Sequence, residues 1–289
     1  MKSAHRIDEA LHDAAGFYFD CGRLLEAGET PFQRYEVWES PLLGKLFRLD
    51  GYFMTSERDE FFYHENLIQL PAMTHPSPAS ALVIGGGDGG SAEELLKHPT
   101  MERVVLVEID GKVVDLARSH FTNIHRGALD DPRLELRVCD GLDYVRNTAP
   151  AAAEKFDLIA LDLTDPIGPA AELYSPRFFA DCKALLTDQG GLSLHIGAPF
   201  FQPQRVRKHV EDLARVFADV TPYFVHIPLY GALWGMACAS DRLHPAQVHP
   251  AQVDQRISAR GIGHLQYYNG ATHQAVQALP NYLSDLLRR

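Results

Sequence analysis

The sequence predicts an α/β fold, a mainly parallel sheet built from βα units and preceded by a small antiparallel β unit. Three observations carry this expectation. From residue 81 onward, short apolar runs alternate with helix-like segments. The first of those runs enters a glycine-rich turn, GGGDGG (85–90), placed where an open sheet meets its ligand. Ahead of them, residues 32–55 form short apolar bursts broken by Pro41, Gly44 and the pair Asp50-Gly51, a hairpin signal.

Taken in order, residues 1–30 offer only a helix expected near 8–15. The bursts FQRYEVWES, KLFRL and GYFMT then make the antiparallel unit. RDEFFYHENLIQL follows as a helix, with Phe61, His64, Glu65 and Ile68 at helical spacing. Strands are expected at 81–86, 103–109, 133–138, 156–163 and 191–196. The segments SAEELLKH, GKVVDLARSHF, GLDYVRN and SPRFFADCKALL supply the intervening helices. TPYFVHIPLY and LWGMACAS read as a closing antiparallel pair, and HPAQVHPAQV (244–253) as a local duplication. The boundary falls between residues 1–75, the N-terminal segment and β unit, and residues 76–289, the sheet domain.

The 289 residues are 46% apolar, enough for a full core. No stretch approaches the roughly 20 apolar residues of a membrane-spanning helix. The first residues carry Asp8, Glu9 and Asp13 and lack an apolar centre, so no signal peptide is expected and the location is read as cytoplasmic. Cys21, Cys139, Cys182 and Cys238 fit no metal spacing and are read as small buried apolar residues. A net charge of −11 shows no basic face for nucleic acid and suits a cationic ligand. No metal is expected: the fourteen histidines make no ligand-spaced cluster and read as lone surface and loop residues. Trp38 and Trp234 read as packing residues, and without a GxSxG serine a hydrolase is set aside.

Acids stand at four strand ends. Asp88 occupies the glycine turn, where it would repel a pyrophosphate and attract a cation; the glycines themselves let backbone approach a ligand. Glu108 ends the second strand, where an acid binds ribose hydroxyls, and Asp140 ends the third, within reach of an adenine amino group. Asp162 closes the fourth strand, and Asp165 follows in a loop stiffened by Pro166, Gly168 and Pro169. Each acid alone reads as a solvated loop or turn residue. Together they point to an adenosine carrying a positive group, S-adenosylmethionine or a relative. Two nearby carboxylates suit a ligand with ammonium groups, and one can take a proton from an attacking amine.

With SERDEFFYHE (56–65), VIGGGDGG (83–90), VEID (107–110), DDPRLEL (130–136), CDG (139–141), DLTDPIGPAAELY (162–174) and LQYYNGATHQAVQALPNYL (265–283), the chain resembles the polyamine aminopropyltransferases, nearest to the spermidine synthases. The resemblance runs from about residue 32 to the C-terminus. It implies a Rossmann-like domain of the class I methyltransferase type behind an N-terminal β unit. It also implies transfer of an aminopropyl group from decarboxylated S-adenosylmethionine, a co-substrate and not a tightly bound cofactor, to a polyamine, with putrescine giving spermidine and methylthioadenosine. By resemblance Asp162 helps deprotonate the attacking amine, Asp165 anchors the acceptor, and Asp88 holds the aminopropyl ammonium. Glu108 holds the ribose, and Asp140 and Gly141 meet adenine. Gln33, Gly85, Gly87 and Pro169 complete the nucleoside pocket, while Tyr63, His64 and Tyr230 line the amine site. The family forms homodimers or homotetramers, and a homo-oligomer is implied here.

Asp88 also argues for aminopropyl over methyl transfer, because the carboxylate of ordinary S-adenosylmethionine would be repelled there. A methyltransferase and a catalytically silent polyamine or nucleoside binder are the competing readings. The chain departs from the family pattern at Met54, Asn66, Gly197 and Gly231, all read as acceptor-side positions. They leave spermidine, cadaverine and agmatine open as acceptors beside putrescine.

Overall fold

The computed structural model describes residues 5–166 and 168–288. Strands β1 (His5–His12) and β2 (Ala15–Cys21) form an antiparallel hairpin. Strands β3 (Arg23–Glu29), β4 (Arg34–Ser40), β5 (Gly44–Leu49) and β6 (Tyr52–Ser56) make a four-stranded antiparallel sheet in chain order. The helix expected near residues 8–15 is therefore a hairpin. The physical reason is the period of the side chains: Ile7, Glu9 and Leu11 face inward and their neighbours outward, a repeat of two and not 3.6. Phe17 and Phe19 repeat the pattern on β2, each with its ring centre 5.4 Å from that of Phe53 on β6. Strand β3, which the sequence left unread, completes the sheet edge.

Helix Glu60–Thr74 leads into β7 (Ser80–Gly85), β8 (Arg103–Glu108), β9 (Leu134–Val138), β10 (Phe156–Asp162), β11 (Leu186–Gly197), β12 (Asp219–Ile227) and β13 (Ala232–Ser240). These seven stand in the order β12-β13-β11-β10-β7-β8-β9. Pairing is parallel from β11 through β9 and antiparallel at β13 and β12, the α/β architecture expected. Val83, Leu106 and Ala160 face one core cluster that also takes in Trp38, Leu46 and Phe53 of the N-terminal sheet. Leu82, Val105, Ile159 and Leu161, on the opposite pleat, face a second cluster with Phe178 and Phe179. Both faces are apolar because helices cover both, as parallel sheets require.

The strand order reverses between β7 and β10, which run side by side although β8 and β9 intervene in sequence. Ligands collect beyond the carboxyl ends of strands at such a switch point. Gly85 and Gly86 make the two strand ends fit. Their φ angles are +79° and +66°, and a Cβ on Gly85 would lie 2.1 Å from the Asp162 carbonyl oxygen. The Gly86 N–H instead donates to that oxygen at 2.9 Å, fixing the backbone of Asp162.

Two readings of residue types need correction. Cys21, Cys182 and Cys238 are buried free thiols, but Cys139 is exposed because β9 is an edge strand. Histidines read as surface or loop residues include His98, His195 and His209, all buried. No helix among the described residues is long and apolar enough to cross a membrane.

Candidate active site

A cleft opens at the switch point and divides into two connected compartments sharing Tyr63, Met54, Thr164 and Tyr230. The larger, about 470 Å³, is bounded by the glycine turn, Glu108, Asp140 and Asp162. The smaller, about 220 Å³, holds Glu9, Asp165, His195 and Trp234. An open groove of about 580 Å³ between Thr74 and Arg256 lies elsewhere and gathers no pair of carboxylates.

In the larger compartment Glu108 accepts from the Asp110 N–H at 2.9 Å and the Gly87 N–H at 3.2 Å. A side chain at Gly87 would fill this place, its Cβ only 2.9 Å from a Glu108 carboxylate oxygen. Burial pushes the Glu108 carboxyl up to about 7 despite those two donors. Asp140 caps the short helix Gly141–Asp143 by accepting from the Leu142 N–H at 2.8 Å, and Gly141 packs under Ile84. Gln33 reaches the lip and donates to Asp110 at 3.0 Å. Gly85 and Gly87 line the wall, as expected. Pro169 stands in the helical turn Gly168–Tyr174, but its side chain falls outside the described residues.

Where the compartments meet, three titratable groups converge. His64 Nε2 stands 3.5 Å from Asp88 and 4.0 Å from Asp162, while Nδ1 meets Glu60 at 2.9 Å. Gly90 makes room, since a Cβ there would strike the His64 ring at 2.3 Å. Burial alone would lower the His64 pKa, but the Asp88 and Glu60 carboxylates outweigh it and hold the imidazole protonated. Burial likewise pushes Asp88 up, and the His64 cation and the Gly90 N–H more than reverse this, so Asp88 stays ionised. Asp162 goes the other way: burial, with Asp88 adding to it, raises its pKa against the pull of His64 and Ser91. The Ser91 hydroxyl donates to Asp162 at 2.7 Å. His64, Asp88 and Asp162 are close enough to suggest a cation site, but both His64 nitrogens already face carboxylates and neither offers a lone pair.

The smaller compartment has aromatic walls. The Tyr230 hydroxyl donates to the Met54 carbonyl at 2.8 Å, and its ring lies 6.0 Å from Tyr63 and 4.8 Å from Trp234. Trp234, read as packing, is therefore also a wall of the site. Asp59 fixes the approach to Tyr230 by accepting from the Leu229 N–H at 2.7 Å. Asp165 pairs with Arg205 at 2.7 Å. Glu9 arrives from the hairpin, and burial pushes its carboxyl up to about 7.

Of the departures from the family pattern, Met54 lines the cleft. Asn66 does not: it is two residues past His64, some 200° around the helix. It is fully buried, its side-chain amide donating to the Phe62 carbonyl and its backbone carbonyl accepting from Tyr223. Its placement on the acceptor side is thus corrected. Gly231, at φ +60°, packs against Phe17 of the hairpin, where a Cβ would stand 2.9 Å from the ring.

The sequence reading missed Glu9, Glu60, Ser91, His195 and Arg205. Glu60 was findable, four residues before His64 on one helix, and Ser91 directly follows the glycine turn. Glu9, His195 and Arg205 carry no local signal, because distant elements bring them in.

Comparison with known proteins agrees with this geometry. Residues 60–248 match the spermine/spermidine synthase domain family. A polyamine aminopropyltransferase of Nitrosomonas europaea is 46% identical over 279 residues, covering 96% of this chain and 85% of that protein. Polyamine aminopropyltransferase 2 of Hyperthermus butylicus is 38% identical over 260 residues, 89% of this chain and 84% of that protein. A crystal structure of spermidine synthase in complex with the transition-state analogue AdoDATO superposes with TM-score 0.87 at 34% identity, covering 95% of this chain and 91% of that one. The spermidine synthase of Thermotoga maritima gives 0.85 at the same identity and coverage. The chain belongs to the spermine/spermidine synthase family and is an enzyme of the polyamine aminopropyltransferase class.

Proposed function

We propose that the enzyme moves an aminopropyl group from decarboxylated S-adenosylmethionine to putrescine, giving spermidine and methylthioadenosine. The observation that carries the donor half is Asp88, a carboxylate kept ionised beside His64 at the glycine turn. It suits the free ammonium of a decarboxylated donor and opposes the carboxylate of the ordinary cofactor. Glu108 receives the ribose hydroxyls, and Asp140, Gly141 and Gln33 surround the base.

Putrescine enters the smaller compartment, its chain between Tyr63, Tyr230 and Trp234 and its far ammonium toward Glu9. Asp162 takes the proton from the near nitrogen, and its raised pKa moves it toward the range in which a carboxylate accepts protons efficiently. The freed lone pair attacks the carbon bonded to the sulfonium. The C–N bond forms as the C–S bond breaks, the bonding pair stays on sulfur, and neutral methylthioadenosine leaves. His64, cationic and 4.0 Å from Asp162, steadies the carboxylate before it is protonated.

The test is methylthioadenosine release from decarboxylated S-adenosylmethionine with putrescine, cadaverine, agmatine or spermidine, by the native enzyme and Asp162→Asn. Putrescine should be the best acceptor. The variant should lose about 10²–10⁴-fold in kcat while keeping its donor KM, since shape is retained and the proton acceptor removed. The absence of release with every one of these amines would sink the assignment, and near-native turnover in the variant would remove Asp162 as the base.

A further inference from the structure

The far end of the amine compartment is charge-compensated in a way that the acids alone do not suggest. Asp165, expected to anchor an ammonium, is already engaged: Arg205 Nη1 lies 2.7 Å from its Oδ2. Both side chains are only about one-fifth exposed, 21% and 22%, so solvent screens the pair incompletely. Arg205 stands in the first turn of helix Pro203–Ala214, where the helix dipole disfavours a cation. Its direction is fixed by Gln202, whose Oε1 accepts from Arg205 Nη1 at 3.1 Å and from the Ala198 N–H at 3.2 Å.

Gly197 leaves the space for this arrangement. Its φ is +98°, and a Cβ would lie 2.7 Å from Gln202 Oε1 and 2.9 Å from Arg205 Cδ. Beside the pair, His195 is neutral, its pKa lowered chiefly by burial. Its Nε2 faces the Leu163 carbonyl at 2.9 Å and the Tyr174 hydroxyl at 2.6 Å, while Nδ1 has no partner among the described residues. This end of the compartment thus offers a neutralised carboxylate and a neutral ring. Glu9 is its acid without a close ion-pair partner among the described residues.

Resting on the aminopropyltransferase reading above, we propose that Arg205 is a specificity-determining residue. By holding Asp165 in an ion pair it restricts the acceptor to a short α,ω-diamine and selects against triamines. A diamine brings one ammonium beyond the reacting nitrogen, which Glu9 receives. A triamine brings a further ammonium into a desolvated place where the available carboxylate is taken and a guanidinium stands behind it, an uncompensated burial of charge.

The experiment compares kcat/KM for putrescine and spermidine at saturating decarboxylated S-adenosylmethionine in the native enzyme, Arg205→Gln and Arg205→Lys. The native enzyme should prefer putrescine. Arg205→Gln should shift the putrescine-to-spermidine ratio toward spermidine by about tenfold or more, with the donor KM unchanged, because Asp165 is released. Arg205→Lys, which keeps the charge, should hold the native ratio. An unshifted ratio in Arg205→Gln, or equal losses with both amines, would leave Arg205 a structural strut and overturn the assignment. A native preference for spermidine would overturn it whether or not the variants fold. A native enzyme that turns over no amine fails the functional reading and this inference with it, whereas turnover with an unshifted ratio fails Arg205 alone.

Discussion

Glu108 shows how one residue's surroundings set a measurable response. Burial lifts its pKa from 4.5 to about 7. In the free protein the folded state therefore binds this proton more readily than the unfolded chain does. The contribution to stability declines as pH rises from 4.5 to about 7. Under the proposed role of Glu108 as ribose ligand, donor binding runs the other way, because ribose hydroxyls would donate to the ionised carboxylate and favour loss of the proton. Donor or methylthioadenosine affinity should rise with pH through about 7 and level off above it. Titration calorimetry between these limits checks it. Glu108→Gln should bind more weakly, by roughly tenfold for one charge-assisted interaction, and should flatten the pH dependence. A native profile that is flat across neutrality would remove Glu108 as the titrating ribose ligand.

At the scale of elements, the N-terminal hairpin is a wall of the smaller compartment as well as a cover for β6. The packing of Phe17 and Phe19 on Phe53 sets β1 in place, and the Phe53 N–H donates to the Glu9 carboxylate. Phe17 also closes on Gly231, tying the hairpin to the β12–β13 turn that carries Tyr230. Glu9→Gln should therefore raise the putrescine KM by about tenfold, the loss of one charge-assisted hydrogen bond, and spare the donor KM. Steady-state kinetics with each substrate varied in turn separates the two. An equal rise in both constants would mean that the hairpin acts on the cleft as a whole and not through its carboxylate.

The whole molecule carries a net charge of −11 while its substrates are cations. The acids at the strand ends focus that field into the cleft, and salt should screen it. The kcat/KM for the amine should fall several-fold between roughly 0.02 and 0.3 M monovalent salt, with kcat little changed, as the screening length shrinks from about 20 to about 6 Å. Rates that ignore salt would confine recognition to the buried contacts. The same global view explains why a mostly parallel sheet holds this site. Its strand ends at the β7–β10 reversal bring acids from four separate segments to one side, and each βα turn is free to hold its own acid.

The parallel-sheet architecture and the acids of the larger compartment were legible in the sequence because they are local. The strands of the parallel sheet read from their own apolar runs, and Asp88, Glu108, Asp140 and Asp162 each sit at the end of such a run, which puts them at the same edge of the sheet. The crossover that sets β10 beside β7 came from the fold. The helix Glu60–Thr74 was legible as a helix, while Tyr63 and His64 entered the site only through the family resemblance. The amine half was not legible for the opposite reason. Glu9 lies in a hairpin whose alternation is short and polar, His195 inside a buried strand, and Arg205 in a helix turn that no motif marks. Asn66 looked like a neighbour of the site because it neighbours His64 in sequence, yet helical rotation turns it away. By itself the sequence determined a mainly parallel sheet and the acids at its strand ends, since these follow from patterns of a few residues. The switch point between β7 and β10 emerged only from the fold. Only the tertiary structure decided that Asp165 is matched by Arg205 and that Glu9 faces the cleft, because those meetings join segments 40 or more residues apart, and packing brings them together.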